Sequence, residues 1–76
     1  MGKYFFDRVG RDRAEYDYKG RALPTPEKAR QLAELIALDL GIEPEGMWFG
    51  WTIDVHNAQG QKFFSRPVRA PEAAAA

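Results

Sequence analysis

Trp51-Thr52-Ile53-Asp54-Val55-His56-Asn57-Ala58-Gln59-Gly60-Gln61-Lys62-Phe63-Phe64-Ser65-Arg66-Pro67 holds the change of period that decides the fold. Trp51, Ile53 and Val55 alternate with Thr52, Asp54 and His56, the pattern of a strand with one buried face. Asn57-Ala58-Gln59-Gly60 suits a type I turn followed by a left-handed glycine, so a three-residue hairpin returns the chain. That register sets Val55 opposite Phe63, Ile53 opposite Ser65 and Trp51 opposite Pro67. On the reverse face His56 meets Lys62, Asp54 meets Phe64 and Thr52 meets Arg66, with Asp54 free to pair diagonally to Arg66. Pro67 fits the end of a strand or an edge.

Upstream of the hairpin the period is that of a helix. Thr25 is a good N-cap, Pro26 suits the first helical position and Glu27 complements the positive end of the helix dipole. From Pro26 to Leu40 the residues Ala29, Leu32, Ala33, Ile36, Ala37 and Leu40 form a single apolar stripe. Gly41 is expected in the left-handed conformation after the last turn, with Ile42 folding back and Pro44 preventing continuation. Leu35 and Leu38 fall outside the stripe and are candidates for a contact, the plain alternative being isolated surface leucines. Glu43–Gly50 reads as a loop that holds Met47, Trp48 and Phe49.

The amino-terminal third opens with Lys3-Tyr4-Phe5-Phe6-Asp7-Arg8-Val9, whose aromatics and β-branched end favour a strand. Gly10–Arg13 is a turn, and Ala14-Glu15-Tyr16-Asp17-Tyr18 a short polar strand suited to an edge. Gly20 permits a bend into Arg21-Ala22-Leu23-Pro24. The order is strand, strand, helix, strand, strand. An α+β fold is predicted, with one helix on a four-stranded antiparallel sheet in two layers around one core. One domain spans 1–70, and Pro71 with the closing alanines forms a flexible tail over 71–76.

Laid end to end, these segments resemble a family of short, uncharacterised alphaproteobacterial proteins that share a domain of unknown function. The resemblance rests on Tyr4-Phe5-Phe6-Asp7, Gly20-Arg21-Ala22-Leu23-Pro24, Glu27-Lys28-Ala29-Arg30, and Trp51-Thr52-Ile53-Asp54-Val55. A turn ending in Gly60, then Phe63-Phe64-Ser65 and Pro67, completes it, so that roughly residues 3–68 are covered. The chain departs from the pattern after the first strand, where an Asp-Gly turn is common, and at Lys62 or Arg66, where an aliphatic residue is common. The resemblance implies a fold and a bacterial origin, and no activity, substrate or cofactor.

Composition narrows the chemistry. The chain has 76 residues, 45% hydrophobic and 29% charged, which fits one small globular domain with a modest core. Without cysteine there are no disulfides, thiolate metal sites or thiol nucleophiles. No run approaches the ~20 apolar residues of a membrane-spanning helix, and the amino end lacks the apolar stretch of a signal peptide, so a cytoplasmic protein is expected. Net charge is +0, with six basic and four acidic residues over 1–21, two and five over 22–50, and three and two over 51–76. Nucleic-acid domains usually carry a larger basic excess.

Ser65 and His56, the only serine and the only histidine, point to opposite faces in this register. They form no nucleophile and base pair, and Ser65 is expected to face the core. Asp54 and His56 share a face, but a metal needs further ligands, and the seven glycines match no phosphate-binding loop. No catalytic residue, metal, cofactor or small-molecule substrate is expected. Trp51, Ile53, Val55 and Phe63 build the core. Phe64, Tyr16, Trp48, Lys62 and Arg66 remain as the candidate interaction surface, with Phe64 on the open sheet face. The chain therefore reads as a non-enzymatic protein-interaction module that self-associates through that face, with Phe64 its anchor and Leu38 uninvolved. The alternative is a weak nucleic-acid binder that uses the strand aromatics with Lys62 and Arg66.

Overall fold

Thr25, Pro26 and the alanine stripe begin the helix where local chemistry dictates. A computed structural model, describing residues 1–69, places α1 at Pro26–Gly41. The Thr25 backbone is extended, and its Oγ1 accepts from Lys28 N at 3.2 Å, satisfying an N–H that the first turn leaves without a partner. Thr25→Ala is expected to lower stability by about 1 kcal/mol, read from the midpoint of a urea melt.

The strands are β1 (Gly2–Val9), β2 (Ala14–Glu15), β3 (Arg21–Leu23), β4 (Thr52–Asn57) and β5 (Lys62–Pro67). All pairings are antiparallel. The order is β2-β1-β4-β5, with β3 sharing the β1 edge that β2 also uses. The α+β class and the helix-on-sheet layering hold, with five strands where four were expected. The polar second strand is only two residues long, and the segment expected to be a bend is β3. Its residues Arg21, Ala22 and Leu23 carry little strand propensity, and the open edge of β1 supplies the pairing. The expected tail, 71–76, lies outside the described residues.

α1 packs chiefly across β4 and β5. The core is Tyr4, Ala29, Ala33, Ala37, Leu40, Ile53, Val55 and Val68, with Phe6, Leu23, Ile36, Trp48, Trp51, Phe63 and Phe64 packed against it. Alanines on the helix let the backbone come close to the sheet, so Ile53 and Val55 are the largest side chains that are fully buried. Gly41 is not the left-handed cap expected of it. It is the last residue of α1, it is buried, and a Cβ there would collide with the Arg69 carbonyl oxygen. Close approach of the chain that leaves β5 explains the glycine. Ile42 does not fold back and stays exposed.

The hairpin turn forms as its residues require. Gly60 has φ +80°, its N–H donates to Asn57 O, and Asn57 Oδ1 accepts from Gln59 N and Gln61 N. The strands that leave it do not keep the expected register. His56 pairs with Lys62 as expected, but a bulge follows, after which Val55 pairs with Phe64, Asp54 with Ser65, Ile53 with Arg66 and Thr52 with Pro67. Phe63 is the extra residue of the bulge. Its ring meets that of the buried Tyr4 edge-on at 5.8 Å, while Phe64 lies beneath the Arg30 guanidinium of α1 at 5.6 Å. The bulge thus turns both adjacent phenylalanines toward the helix side, which uninterrupted alternation forbids.

Candidate functional site

The bulge redistributes the residues expected on the open sheet face. Phe64 is half-buried on the helix side, so it is not an anchor on the open face. Arg66, paired with Ile53, goes with it to the helix side and is exposed. Trp48 is not idle in its loop. It packs against the core, stands edge-on to Trp51 at 4.8 Å, and lies under the Arg8 guanidinium at 5.2 Å. Lys62 remains on the open face, where its Nζ is 3.6 Å from Asp54 Oδ2. Tyr16 remains exposed. The five residues therefore do not share one surface.

Asp54 takes partners other than the one expected. Ser65, on the open face and not in the core, donates its Oγ–H to Asp54 Oδ1, and Lys62 replaces Arg66 as the ion-pair partner. His56 lies beside another carboxylate, Asp7, whose Oδ2 is 3.4 Å from Nε2. The contact lacks hydrogen-bond geometry, since Nε2 is enclosed without a hydrogen-bond partner. The His56 ring lies against its cross-strand neighbour Phe5 at 5.2 Å.

Asp17 is the least expected of these residues. Between the stretches of β1 paired with β2 and with β3, the Phe6 N–H donates to Asp17 Oδ2 at 3.1 Å. Oδ1 accepts from Lys19 N and Gly20 N, and the Asp17 N–H donates to Asp7 Oδ1 at 3.0 Å. One carboxylate thus replaces a missing strand and fastens the 16–20 segment to β1. Burial pulls the Asp17 carboxyl upward. The N–H groups of Gly20, Phe6 and Lys19, with the Arg21 charge, outweigh that and hold it below the usual carboxylate range. The fragment Asp17-Tyr18-Lys19-Gly20 carries a trace of this, an Asx turn closed by a glycine at φ +70°.

The outer side of α1 presents a second apolar row. Leu35 and Leu38 are each 59% exposed and Ile42 is 67% exposed. Helical spacing puts Leu35 and Leu38 opposite the buried alanines, and Ile42, the residue that caps α1, follows just beyond them. From residue 31 to residue 50 there are four carboxylates, Glu34, Asp39, Glu43 and Glu45, and no lysine or arginine. This is an apolar ridge with an acidic setting. Sequence reasoning finds Leu35 and Leu38 and misses Ile42, because it assigns that residue to the helix end.

A single helix laid on an antiparallel sheet, with an exposed apolar ridge on the helix and an acidic, aromatic patch on the open sheet face, defines a small α+β domain. The chain belongs to DUF6894, a domain of unknown function, which it matches over residues 3–69. No curated protein and no solved structure matches it. Among the described residues no helix is long and apolar enough to cross a membrane.

Proposed function

We propose that the chain is a non-enzymatic interaction module whose outer α1 ridge docks a partner segment carrying an apolar row flanked by lysine or arginine. The carrying observation is the exposed group Leu35, Leu38 and Ile42, set among carboxylates without one basic residue from 31 to 50. An apolar row supplies the buried contact, and the acidic surroundings select the charge of what covers it. The same carboxylates disfavour a second copy of this chain, since like charges would meet across the contact. Ser65 donates its Oγ–H to Asp54 Oδ1 and His56 Nε2 lies beside a different carboxylate, Asp7, which supports a binding role over nucleophilic chemistry.

The test uses a fluorescent amphipathic peptide of leucine and lysine, with its leucine and glutamate counterpart as control. The lysine peptide is expected to bind, to weaken as salt is raised, and to weaken roughly tenfold or more with Leu38→Glu. The glutamate peptide is expected not to bind, and the protein alone to sediment as a monomer. Equal binding by the wild type and Leu38→Glu would sink the proposal.

A further inference from the structure

The open face of the sheet has a shallow pocket of about 390 Å³, lined by Phe5, Asp7, Tyr16, Asp17, Tyr18 and His56 and closed at one end by the turn at 57–60. No lysine or arginine lines it. Tyr16 and Tyr18 are 60% and 87% exposed, yet their backbone is not loose. The Asp17 between them is tied to β1 through Phe6 N and Asp7 Oδ1, and closes its own turn through Lys19 N and Gly20 N. The two rings are therefore carried on a segment fixed beside Phe5 and His56, whose rings already lie together.

We propose that this pocket binds an organic ammonium group that carries methyl substituents. Several aromatic faces around a point of negative potential attract a cation. The state of the carboxylates selects which cation. Asp7 Oδ1 accepts from Asp17 N and Oδ2 lies against His56 Nε2, while both Asp17 oxygens accept backbone N–H groups. At the turn, Asn57 Oδ1 accepts two N–H groups as well. A primary ammonium brings three N–H donors, and of the four carboxylate oxygens only Asp7 Oδ2 holds no hydrogen bond, so it would leave donors facing the rings, at a desolvation cost. A methylated ammonium brings charge and apolar surface and asks for no acceptor. The carboxylates act on it through their field and the rings through contact.

The pocket is on the sheet face away from α1, so this inference stands apart from the ridge. The test is an amide chemical-shift titration with choline, with N-acetyl-trimethyllysine amide, and with 3,3-dimethyl-1-butanol, the uncharged isostere of choline. Saturable shifts at Phe5, Tyr16, Tyr18 and His56 are expected from either cation and not from the alcohol. Tighter binding of choline would point to a free small molecule, and tighter binding of the lysine derivative to a modified side chain. Tyr16→Ala and Tyr18→Ala, both at exposed positions, are each expected to weaken binding roughly two- to fivefold. Asp7→Asn, close in shape and without the charge, is expected to weaken it too, while Leu38→Glu leaves it unchanged. Shifts of equal size from the alcohol, or no saturable shift from either cation, would overturn the assignment.

Discussion

Replacing Ile53 by alanine is expected to cost about 2–5 kcal/mol, a large share of the roughly 4–10 kcal/mol available to a chain of this length. Ile53 and Val55 are the only large side chains fully buried among the described residues, and Ile53 sits where β4 meets the alanines of α1. Small residues on the helix cannot lengthen to fill the space left behind, so most of a cavity would remain. Urea denaturation followed by circular dichroism measures the loss. A change below about 1 kcal/mol would mean that the helix does not rest on this strand.

The second large effect belongs to Asp17. Asp17→Ala removes the acceptor of three backbone N–H groups, and Phe6 N–H, partly buried, has no strand to turn to. Leaving such a donor unpaired and losing charge-assisted bonds is expected to cost about 2–3 kcal/mol. Asp17→Asn rescues only part of this, because its Oδ1 keeps Lys19 N and Gly20 N while its NH2 group would face the Phe6 N–H where an acceptor stood. The pH dependence follows from the lowered carboxyl. The folded-state value lies below the unfolded one, so the carboxylate's stabilisation is complete above the ordinary aspartate range. It is lost as pH falls below about 4, through that range toward the folded value. The wild type is therefore expected to shed stability in acid more steeply than Asp17→Asn. Parallel acid limbs would contradict the role given to this carboxylate.

Elements written in local chemistry were legible. Thr25 and Pro26 mark the start of α1, and Asn57 with Gly60 fixes the turn between β4 and β5, because a cap or a turn is settled within a few residues. What depends on a distant partner was not. β3 exists because β1 has an edge to fill, and Gly41 is a glycine because Arg69 passes over it. The bulge left one sign, the adjacent pair Phe63-Phe64, which breaks strict alternation without saying which member is extra. That single residue moved Phe64 and Arg66 away from the open face and brought Ser65 onto it, so a surface chosen by alternation alone was wrong past the bulge. Leu35 and Leu38 were legible as residues beyond the core stripe. The proposal that they form the contact surface was not, since it depends on Phe64 being taken up by the core. The tyrosine and Asp7 pocket went unseen because Asp17, the residue that assembles it, acts across the gap between β2 and β3.

The claim that the α1 ridge is the contact surface is tested most directly by mapping amide chemical shifts while the leucine and lysine peptide is added. The expected result is a continuous set of perturbed amides along Gln31–Gly46, centred on Leu35, Leu38 and Ile42, with Phe5, Asp7, Asp54 and His56 on the sheet face left in place. Perturbation centred on β1, β4 and β5, with the amides of α1 unmoved, would contradict it.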